Sequence, residues 1–514
     1  MFSKVKSCAV HGVDGRMIDV EADVNDGLPV FTMVGYLSSS VRESSERVRT
    51  ALKNSGFHLP PKRITINLSP ADMRKDGSGY DLAIATAVLL SLGVTAELPM
   101  EQTLVLGELS LDGSIKAIPG VLPMVICARE EGMTSCIVPK ENVQEAALVQ
   151  GISVIGVSSL KETMEYIQGI KEYENTNVEQ PAVDTSEYLY DIDFSDVVGQ
   201  ESIKRGMEIA AAGFHNVLLT GAAGAGKSML AKRLPTILPQ MSFEESLEVT
   251  KIYSVGGMLP PEGGLIHRRP FRAPHHTISE YALIGGGRVP TPGEVSFAHY
   301  GVLFLDELPE FSKPVLEVLR QPLEDRRIRI SREQASYEFP ADFMFVAAMN
   351  PCPCGNYPDY RRCSCTEQQI RRYQSKVSGP LLDRIDIRME VKGVKQEVLF
   401  SKQKTESSKT IRARVEQARQ MQKERFAGTG LLFNSQLDGK NLEEYITLSE
   451  EGKRLVLQLF EEQELSVRGV HRVLKLARTI ADLAGSEEIE HAHLQEAAFY
   501  RNQDVFAKGV LYGN

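Results

Sequence analysis

The sequence of 514 residues contains no tryptophan, few aromatic residues and no excess of basic charge. Aromatic residues make up 7% of the chain, and Asp plus Glu outnumber Lys plus Arg by 68 to 58, which gives a net charge of −10. A protein that binds nucleic acid through its overall charge is usually basic. Any contact with nucleic acid must therefore come from local basic patches.

Long apolar runs and a dense set of cysteines are also absent. No stretch of about 18 consecutive apolar residues occurs, so no membrane span is expected. The N-terminus, Met1–Lys6, lacks the apolar core of a signal peptide. Seven cysteines in a chain of this length do not form a disulfide framework. We therefore expect a cytoplasmic protein with no membrane partner.

Changes in composition divide the chain into four segments. These are residues 1–168, 169–196, 197–393 and 394–514. The first alternates β-like runs such as Ile64–Leu68 with helical runs such as Leu82–Leu92, which is typical of an α/β or α+β domain. The second is an acidic linker, since Lys171–Asp196 holds eight acidic residues and one basic residue; an irregular loop of one larger domain is the alternative. The third alternates strands, long loops and helices, and the last is almost purely helical.

A phosphate-binding loop follows the short apolar strand Val217–Leu219. It reads G-x-x-x-x-G-K-S and leads into a helix, which is the setting that a P-loop requires; a chance match in a Gly- and Ala-rich loop is the alternative. Backbone N–H groups of the loop can face phosphate oxygens at the helix N-terminus. Lys227 is expected to reach the β- and γ-phosphates of ATP, and Ser228 to bind Mg²⁺. The nucleotide-binding residues are Gly221, Ala222, Ala223, Gly224, Ala225, Gly226, Lys227 and Ser228.

Two further apolar strands end in polar residues. Gly301–Leu305 is followed by Asp306 and Glu307, the arrangement of a Walker B strand. Asp306 is expected to hold Mg²⁺ through water, and Glu307 to polarise the attacking water. Phe343–Met349 ends at Asn350, which can orient the same water if this strand lies between the other two. A buried strand with a charged surface turn is the alternative for the Walker B segment.

Arginines near the C-terminal side complete a catalytic set. Leu381–Asp386 resembles the arginine-finger box of AAA+ ATPases, in which Arg384 enters the active site of a neighbouring subunit. Arginine fingers in P-loop enzymes are worth about 10³–10⁵ in rate. Asn350 takes the sensor-1 position of that resemblance, and Arg468 resembles sensor 2. Either arginine alone would be read as a surface ion-pair partner, but the order of the five elements favours the catalytic role.

The N-terminal segment resembles a peptidase that has lost its catalytic pair. Residues 74–87 resemble the nucleophile segment of Lon peptidases, whose chemistry needs a serine and a lysine that takes its proton. The resemblance places these positions at Gly79 and Leu122. Ser78 lies one residue away, and residues 117–139 contain no lysine. We expect a Lon-like α+β domain (of the ribosomal protein S5 domain 2 type) that lacks peptidase activity. Our hypothesis is that its basic residues help to grip DNA or stabilise a ring, and a plain solvated face is the alternative.

Two sequence runs give a narrower resemblance. Val197–Arg501 resembles the magnesium-chelatase branch of AAA+ proteins, and the runs Arg269–His276 and Asn350–Gly355, with the N-terminal domain, resemble the YifB/ComM family. The resemblance implies an α/β P-loop AAA+ core with a C-terminal helical lid, assembled as a homo-hexamer.

The same resemblance implies an ATP-driven DNA helicase that promotes branch migration in natural transformation. Its partners would be single-stranded, forked or branched DNA and recombination proteins. Two other functions remain open at this stage. One is a magnesium chelatase-like motor that remodels a protein partner, and the other is an ATP-dependent Lon-like protease.

Four cysteines lie close together within residues 352–365. Two Cys-x-Cys pairs on short turns can surround a tetrahedral zinc ion, and zinc would stabilise an otherwise irregular loop. A redox switch or four free thiols are the alternatives. The candidate zinc ligands are Cys352, Cys354, Cys363 and Cys365.

Three basic stretches are candidate nucleic-acid contacts. They are residues 267–276, 326–332 and 361–376, the last with tyrosines interleaved. Arginines beside aromatic rings can follow phosphates and stack bases. If residues 326–332 form a strand of the pore hairpin found in related helicases, alternate arginines share one face. A solvated face or ion pairs across a subunit interface are the alternatives. The candidates are Arg268, Arg269, Arg272, Arg327, Arg329, Arg361 and Arg362.

Overall fold

A computed structural model describes residues 1–171, 190–260, 264–332, 335–393, 405–462 and 466–501. They form an N-terminal unit built on a mixed sheet, a second α/β unit built on a parallel sheet, and a helical C-terminal unit. Among these residues, no helix combines the length and the apolar character that crossing a membrane requires.

The strands alternate with short helices in the first two units. The strands are β1 Phe2–His11, β2 Asp14–Asn25, β3 Val30–Val34, β4 Arg63–Ser69, β5 Thr103–Val105, β6 Glu108–Leu109, β7 Ile115–Lys116, β8 Ser135–Pro139, β9 Ser153–Val157, β10 Val217–Thr220, β11 Phe271–Arg272, β12 Gly285–Gly286, β13 Thr291–Pro292, β14 Val302–Leu305, β15 Arg327–Ser331, β16 Ser336–Pro340, β17 Met344–Met349 and β18 Ile387–Glu390.

The helices are longest at the C-terminal end. They are α1 Ser39–Asn54, α2 Asp81–Ser91, α3 Val121–Glu130, α4 Val143–Ala146, α5 Leu160–Ile167, α6 Glu201–Gly213, α7 Lys227–Arg233, α8 Phe243–Val255, α9 Glu280–Ile284, α10 Glu294–Phe297, α11 Lys313–Val318, α12 Pro322–Asp325, α13 Glu367–Gln374, α14 Gly379–Leu382, α15 Ser408–Arg425, α16 Gly439–Tyr445, α17 Glu450–Glu462, α18 Val467–Leu483 and α19 His491–Arg501.

The N-terminal unit is a seven-stranded sheet in the order β3-β4-β2-β1-β5-β8-β9. The β1–β2 and β2–β4 pairs are antiparallel and the others are parallel. Helix α2 packs against β1 and β2 and is buried on almost every side. A helix that is apolar all round belongs in a core, which explains the run of Ala, Leu and Ile in α2. The strand predicted near Ile64–Leu68 and the helix predicted at Leu82–Leu92 are confirmed.

The second unit is a five-stranded sheet in the order β11-β14-β17-β10-β18. All its pairs are parallel, so the carboxyl ends of the strands meet at one edge. Its central strands are buried along their whole length, as expected when helices cover both faces of a parallel sheet. Strand β17 lies between β14 and β10, which confirms the strand order that the sequence required for Asn350.

The C-terminal helices are fixed to the parallel sheet by a buried polar cluster. Asp386, at the start of β18, accepts from Arg472 of α18 over 2.5 Å, and His215 bridges Asp386 and Thr479 of the same helix. Burial alone would raise the pKa of Asp386, but the charge of Arg472 and the hydrogen bond with His215 outweigh it, so the pKa lies well below its usual value. The cluster ties the helical unit to the edge strand.

The predicted acidic linker is only partly described, because residues 172–189 lie outside the described residues. The prediction is wrong for the C-terminal end of this linker. Phe194 is fully buried in the core of the second unit, and Asp193 accepts from the Ser408 backbone N–H at 3.1 Å. A single buried aromatic side chain makes Asp193–Asp196 part of the second unit, although acidic residues dominate this stretch.

The N-terminal unit contacts the second unit through the β1–β2 turn and through residues around α3 and α4. The turn between β1 and β2 rests on the far end of the β15–β16 hairpin, where the ring of His11 packs on Tyr337 with centroids 4.4 Å apart. Gly12, at φ +68°, lies so close to Glu338 that a Cβ would stand 2.8 Å from its carbonyl oxygen. At the second contact, buried Glu145 accepts from Ser254 of α8 over 2.5 Å.

Candidate nucleotide site

The P-loop connects β10 to α7 and depends on glycine at three points. Gly224 and Gly226 have φ of +77° and +95°, which side chains disfavour. A Cβ on Gly221 would stand 2.2 Å from the Val391 carbonyl oxygen, so the loop must begin without a side chain. Gly226 caps the N-terminus of α7, where backbone N–H groups are free to meet a phosphate.

Lys227 points its ammonium group into this loop. Its Nζ donates to the carbonyls of Gly221 and Ala222 at 2.6 and 2.9 Å, and to Asn350 Oδ1 at 3.0 Å. Burial lowers the pKa of Lys227, while the charges of Asp306 and Glu307 act in the opposite direction. The lysine therefore links the P-loop to the end of β17, at the place where phosphate oxygens would replace its present carbonyl partners.

Ser228 and Asp306 form a second link across the same edge. The Ser228 hydroxyl donates to Asp306 Oδ2 over 2.5 Å, and the other carboxylate oxygen accepts from the Glu307 N–H at 2.9 Å. A hydroxyl and a carboxylate side by side are hard oxygen ligands, which Mg²⁺ uses together with water and substrate phosphates. These residues fit the magnesium ion that an ATPase needs, and Mg²⁺ held there would neutralise charge on the phosphates.

Glu307 is open to solvent beside these groups. Its backbone is left-handed, at φ +53°, and its side chain is 61% exposed. His276 lies 3.9 Å from the carboxylate, a neighbour that the sequence analysis did not associate with catalysis. Asn350 joins the site from β17 through Lys227. The carboxyl edge thus brings together Lys227, Ser228, Asp306, Glu307 and Asn350, as their sequence positions predicted.

Arg384 and Arg468 lie apart from this cluster. Arg384 is nearly buried, pairs with Glu324 over 2.5 Å and donates to the Pro380 carbonyl at 2.6 Å. Reaching a neighbouring subunit would require this ion pair to open. Arg468 is exposed at the first turn of α18. The roles of both arginines stay predictions.

The four cysteines converge on one point directly after Asn350. The Sγ atoms of Cys352, Cys354, Cys363 and Cys365 all lie within 4.8 Å of one another. Cys352 Sγ is 3.4 Å from that of Cys354 and 3.8 Å from that of Cys363. A tetrahedral zinc with Zn–S bonds of about 2.3 Å spaces its sulfurs about 3.8 Å apart, so the cluster can hold such a metal. A backbone N–H from Asn356 lowers the pKa of Cys354 to about 5 and favours the thiolate that binds metal.

The cysteine loop also touches the nucleotide loop. Gly355, at φ +79°, lies where a Cβ would stand 3.4 Å from the Ala223 nitrogen and 3.9 Å from Asn350 Cγ. The loop ends at Thr366, whose side chain caps α13 together with Gln369. This T-x-x-Q capping box is the signal that could have identified α13 from the sequence. Sequence reasoning grouped the helix with a basic surface and missed its place beside Glu307.

The predicted nucleic-acid residues divide into buried and exposed ones. The structure corrects the prediction for Arg269, which is 5% exposed and donates to the carbonyls of Pro239 and Tyr300 at 2.6 and 2.7 Å. It also pairs with buried Glu245 over 3.0 Å. Because its donors are satisfied inside the protein, Arg269 braces the fold and cannot meet DNA.

Arg272 is also held by the protein, through a bidentate pair with Glu294 at 2.6 and 2.7 Å. The other candidates are exposed. Arg268 lies over the Tyr190 ring at 5.3 Å, and Arg362 is 3.7 Å from Asp359. Arg327 and Arg329 share one face of β15, as predicted, and both pair with Glu338 of β16. Arg361 is exposed beside Tyr360, which is 73% exposed.

The N-terminal unit presents no Ser–Lys pair at the positions that resemble Lon. Gly79 and fully buried Leu122 occupy the two positions, and the Ser78 hydroxyl donates to Glu108. The nearest buried lysine in the sequence, Lys75, donates to the carbonyls of Pro70 and Met73. Both groups have structural partners, and among the described residues no lysine bonds to Ser78.

The parallel sheet, P-loop and polar strand ends define an AAA+-type P-loop ATPase class. Three family models agree with this class. Residues 193–399 match the magnesium chelatase subunit ChlI family, residues 20–142 match a second ChlI family model, and residues 405–501 match the ChlI C-terminal family. Together they span the three units of the fold.

Full-length relatives narrow the class to a family. The chain is 43% identical over 480 residues to an uncharacterised protein of Mycobacterium tuberculosis, covering 93% of this chain and 94% of the relative. It is 41% identical over 506 residues to the uncharacterised protein YifB of Escherichia coli, covering 98% and 97%. It is 40% identical over 503 residues to the competence protein ComM of Haemophilus influenzae, covering 97% of each. The chain therefore belongs to the YifB/ComM family of magnesium chelatase-like proteins, a family that implies ATP and Mg²⁺.

A shorter match concerns proteases. Lon protease 2 of Bacillus subtilis is 30% identical over 183 residues, which covers 32% of each chain.

Proposed function

We propose that the protein is a cytoplasmic motor that hydrolyses ATP in a homo-hexameric ring and uses the energy to unwind or branch-migrate DNA. The hydrogen-bonded cluster of Lys227, Ser228, Asp306 and Asn350 at one edge of the parallel sheet carries the ATPase part of this proposal. Three separate strand ends meet there, which is what positioning a triphosphate and its metal requires.

Each residue of the cluster has a task in hydrolysis. Lys227 leaves its carbonyl partners and binds β- and γ-phosphate oxygens, while Ser228 and Asp306 hold Mg²⁺. Glu307, open to solvent, takes a proton from the attacking water, and Asn350 orients that water.

Two arginines complete the proposed site. Arg384 of a neighbouring subunit would first leave its ion pair with Glu324. Its guanidinium would then stabilise the charge that develops on the transferred phosphoryl group. Arg468, exposed at the start of α18, would sense nucleotide from the helical lid.

Two exposed surfaces suit DNA. One is the β15 face with Arg327 and Arg329, whose side chains are 51% and 59% exposed. The other is the cysteine loop with Arg361, Arg362 and Tyr360, where guanidinium groups and an exposed ring can meet phosphates and bases. A full-length relative is named a competence protein. We propose single-stranded, forked or branched DNA as the partner of this chain, with recombination proteins as collaborators.

The remaining parts receive supporting roles. Residues 1–168 would form a Lon-like domain without peptidase activity, joined to the motor through an acidic linker that ends before Asp193. Residues 352–365 would hold one Zn²⁺, since the sulfur spacing matches a tetrahedral site. The C-terminal helices, tied to Asp386 through Arg472, would form the lid of the ATPase.

A magnesium chelatase-like motor that remodels a protein partner is the second candidate. It is favoured by the three ChlI family models and by a 29% identical match over 164 residues to a magnesium-chelatase 67 kDa subunit of Chlorobaculum parvum. A Lon-like protease is less favoured, because Ser78 is bonded to Glu108 and Leu122 takes the lysine position.

ATP turnover with and without DNA separates these candidates. We expect wild-type protein to hydrolyse ATP faster with forked or single-stranded DNA, and Lys227→Ala to lose about 10²–10³ in turnover with either. If ATP turnover depends on Lys227 but is the same with and without DNA, the DNA motor is refuted and protein remodelling is favoured. ATP-dependent degradation of casein would instead support the protease.

The DNA surface has its own test. The double variant Arg327→Ala/Arg329→Ala should weaken DNA binding and reduce its salt dependence, because each phosphate contact releases counterions. The double variant Lys453→Ala/Arg454→Ala removes the same charge from exposed positions on α17 and serves as control. Equal DNA affinities of the two double variants would remove the hairpin from the proposal.

A further inference from the structure

A cavity of about 520 Å³ opens beside Glu307 and Asn350. Liquid water occupies about 30 Å³ per molecule, so this space holds a phosphoryl-sized group together with several waters. Its lining includes Glu307, Glu310, Asn350, Arg372, Tyr373 and Lys376. Its wall therefore combines the proposed base, the proposed sensor and two cations from the region of α13.

Arg372 differs from the other cations near the nucleotide site. Lys376 pairs with Glu310 at 3.4 Å, and Lys227 donates to the Gly221 carbonyl at 2.6 Å. Within the part of the chain that the structure describes, the guanidinium of Arg372 has no hydrogen-bond or ion-pair partner. An unpaired guanidinium facing the same space as Glu307 is suited to an anion, because its planar fork matches phosphate oxygens.

The helix that carries Arg372 is fixed to the end of β17. Gln374 is 2% exposed and donates to the Pro351 carbonyl at 2.8 Å, one residue beyond Asn350. Tyr373 and Ile370 are 8% and 4% exposed and anchor the inner face of α13. Burial raises the pKa of Tyr373 to about 12, with the charges of Glu310 and Glu307 adding to it, so the phenol stays neutral. Arg372 therefore reaches the cavity from a fixed backbone.

We propose that Arg372 is a further catalytic residue, which contacts the γ-phosphoryl group of ATP in its own subunit during hydrolysis. This inference rests on the proposed ATPase function. In the reaction, a bond forms between the water oxygen and the γ-phosphorus while the bond to the bridging oxygen of ADP breaks. The water proton passes to Glu307, and ADP and phosphate leave. Arg372 stabilises the equatorial oxygens as charge spreads over them.

Arg371 provides a matched control. It lies next to Arg372 on α13 and is exposed, but it does not line the cavity, since neighbouring residues on a helix point in different directions. The full-length variants Arg372→Ala, Arg372→Lys and Arg371→Ala are compared with wild type and with Lys227→Ala. The measurements are kcat and KM for ATP, the affinity for a fluorescent ATP analogue, the affinity for Mg-ADP with aluminium fluoride, and DNA affinity.

We expect Arg372→Ala to lower kcat about 10²–10³-fold and to weaken binding of the aluminium fluoride complex, with ATP affinity nearly unchanged. Arg372→Lys should recover part of the rate, and Arg371→Ala should match wild type. Because Arg372 is exposed, these variants should fold, and equal melting temperatures check this.

Other results overturn the inference in distinguishable ways. If Arg372→Ala and Arg371→Ala have the same kcat, Arg372 has no catalytic role. A raised KM with unchanged kcat would make it a ground-state contact only. Equal losses of DNA affinity in both variants, with normal turnover in the absence of DNA, would assign α13 to a nucleic-acid surface. Wild-type turnover that does not depend on Lys227 would overturn the proposed ATPase function and this inference with it.

Discussion

The two sheets of the molecule differ in whether their ionisable side chains are paired or exposed. In the N-terminal unit, the carboxylate of Asp81 is enclosed by Arg47 at 2.8 Å, and Ser78 is bonded to Glu108. In the ATPase unit, the Glu307 side chain is 61% exposed, and Arg372 is unpaired among the described residues. The first arrangement closes polar groups into the fold, whereas the second leaves them available to a ligand.

Strand direction explains how the open site of the ATPase unit is assembled. All neighbouring strands of the five-stranded sheet are parallel, so loops after β10, β14 and β17 emerge at the same edge and bring distant residues together. In the seven-stranded sheet only β2 runs against its neighbours, so the other strands share a direction as well. Polar groups also meet in this unit, but Ser78 and Glu108 are bonded to each other. A shared resemblance to enzymes is therefore not enough for chemistry, because the converging groups must also stay available to a ligand.

The largest expected effect tests whether chemistry belongs to one sheet only. Glu307→Gln should lower ATP turnover by about 10²–10⁴-fold while ATP still binds, because the amide cannot accept the proton of water. The matched variant in the other sheet, Glu108→Gln, should leave turnover unchanged. Steady-state ATPase assays and nucleotide binding measure both. A similar loss in the two variants would break the comparison.

The next effect concerns the buried cluster that holds the C-terminal helices. Asp386→Asn leaves Arg472 and His215 without their carboxylate and should lower stability by about 3–5 kcal/mol. The pKa of Asp386 is lowered in the folded protein, so its stabilisation is fully present above its unfolded value, about 3.9, and is lost as pH falls below it.

The difference in stability between wild type and Asp386→Asn should thus be constant from about pH 5 to 8 and become smaller in stronger acid. Thermal unfolding across this pH range measures it. Asp383→Asn, a neighbouring carboxylate that is 54% exposed, is the control. A difference that becomes larger in acid would contradict the assignment.

A smaller effect is expected at the cysteine loop. Cys363→Ser should reduce bound zinc from one ion per chain to far less and lower the melting temperature by several degrees, since metal binding stabilises the loop. Turnover should also fall, because the loop joins Asn350 to α13. Metal analysis of protein purified without chelator, with Cys127→Ser as control, tests this. Wild-type protein without metal would exclude a zinc site.

The smallest effect comes from the N-terminal carboxylate. Burial raises the pKa of Asp81 in spite of Arg47, so the folded protein binds the proton more tightly than the unfolded chain. Wild-type stability should therefore fall relative to Asp81→Asn as pH rises from about 4 through the raised pKa. At pH 8 the variant should lie within about 1 kcal/mol of wild type. Asp26→Asn, at a 93% exposed position, should show no such trend in thermal unfolding.

The nucleotide site was predictable because its information is local. Lys227 and Ser228 lie in one short loop, and Asp306 and Asn350 each follow an apolar strand, so strand order alone brings them together. The prediction for Arg269 was wrong because a basic run in a sequence looks the same whether its side chains are exposed or buried. Its partners Pro239 and Tyr300 lie 30 and 31 residues away in sequence.

The linker boundary failed for a similar reason. Acidic composition indicated solvent, but Phe194 inserts into a core whose other wall includes the helix beginning at Ser408. The α13 surface was assigned by charge, and only the position of its backbone against Pro351 separates Arg372 from Arg371. Contacts across such sequence separations leave no pattern in the chain itself.

The β1–β2 turn gives the β15–β16 hairpin a second support. A hairpin that is held only at its base moves most at its free end, so a contact near that end restricts its motion. His11 and Gly12 make this contact with Tyr337 and Glu338, next to the end of the hairpin. A force applied at Arg329 would thereby be shared with the seven-stranded sheet through these two contacts.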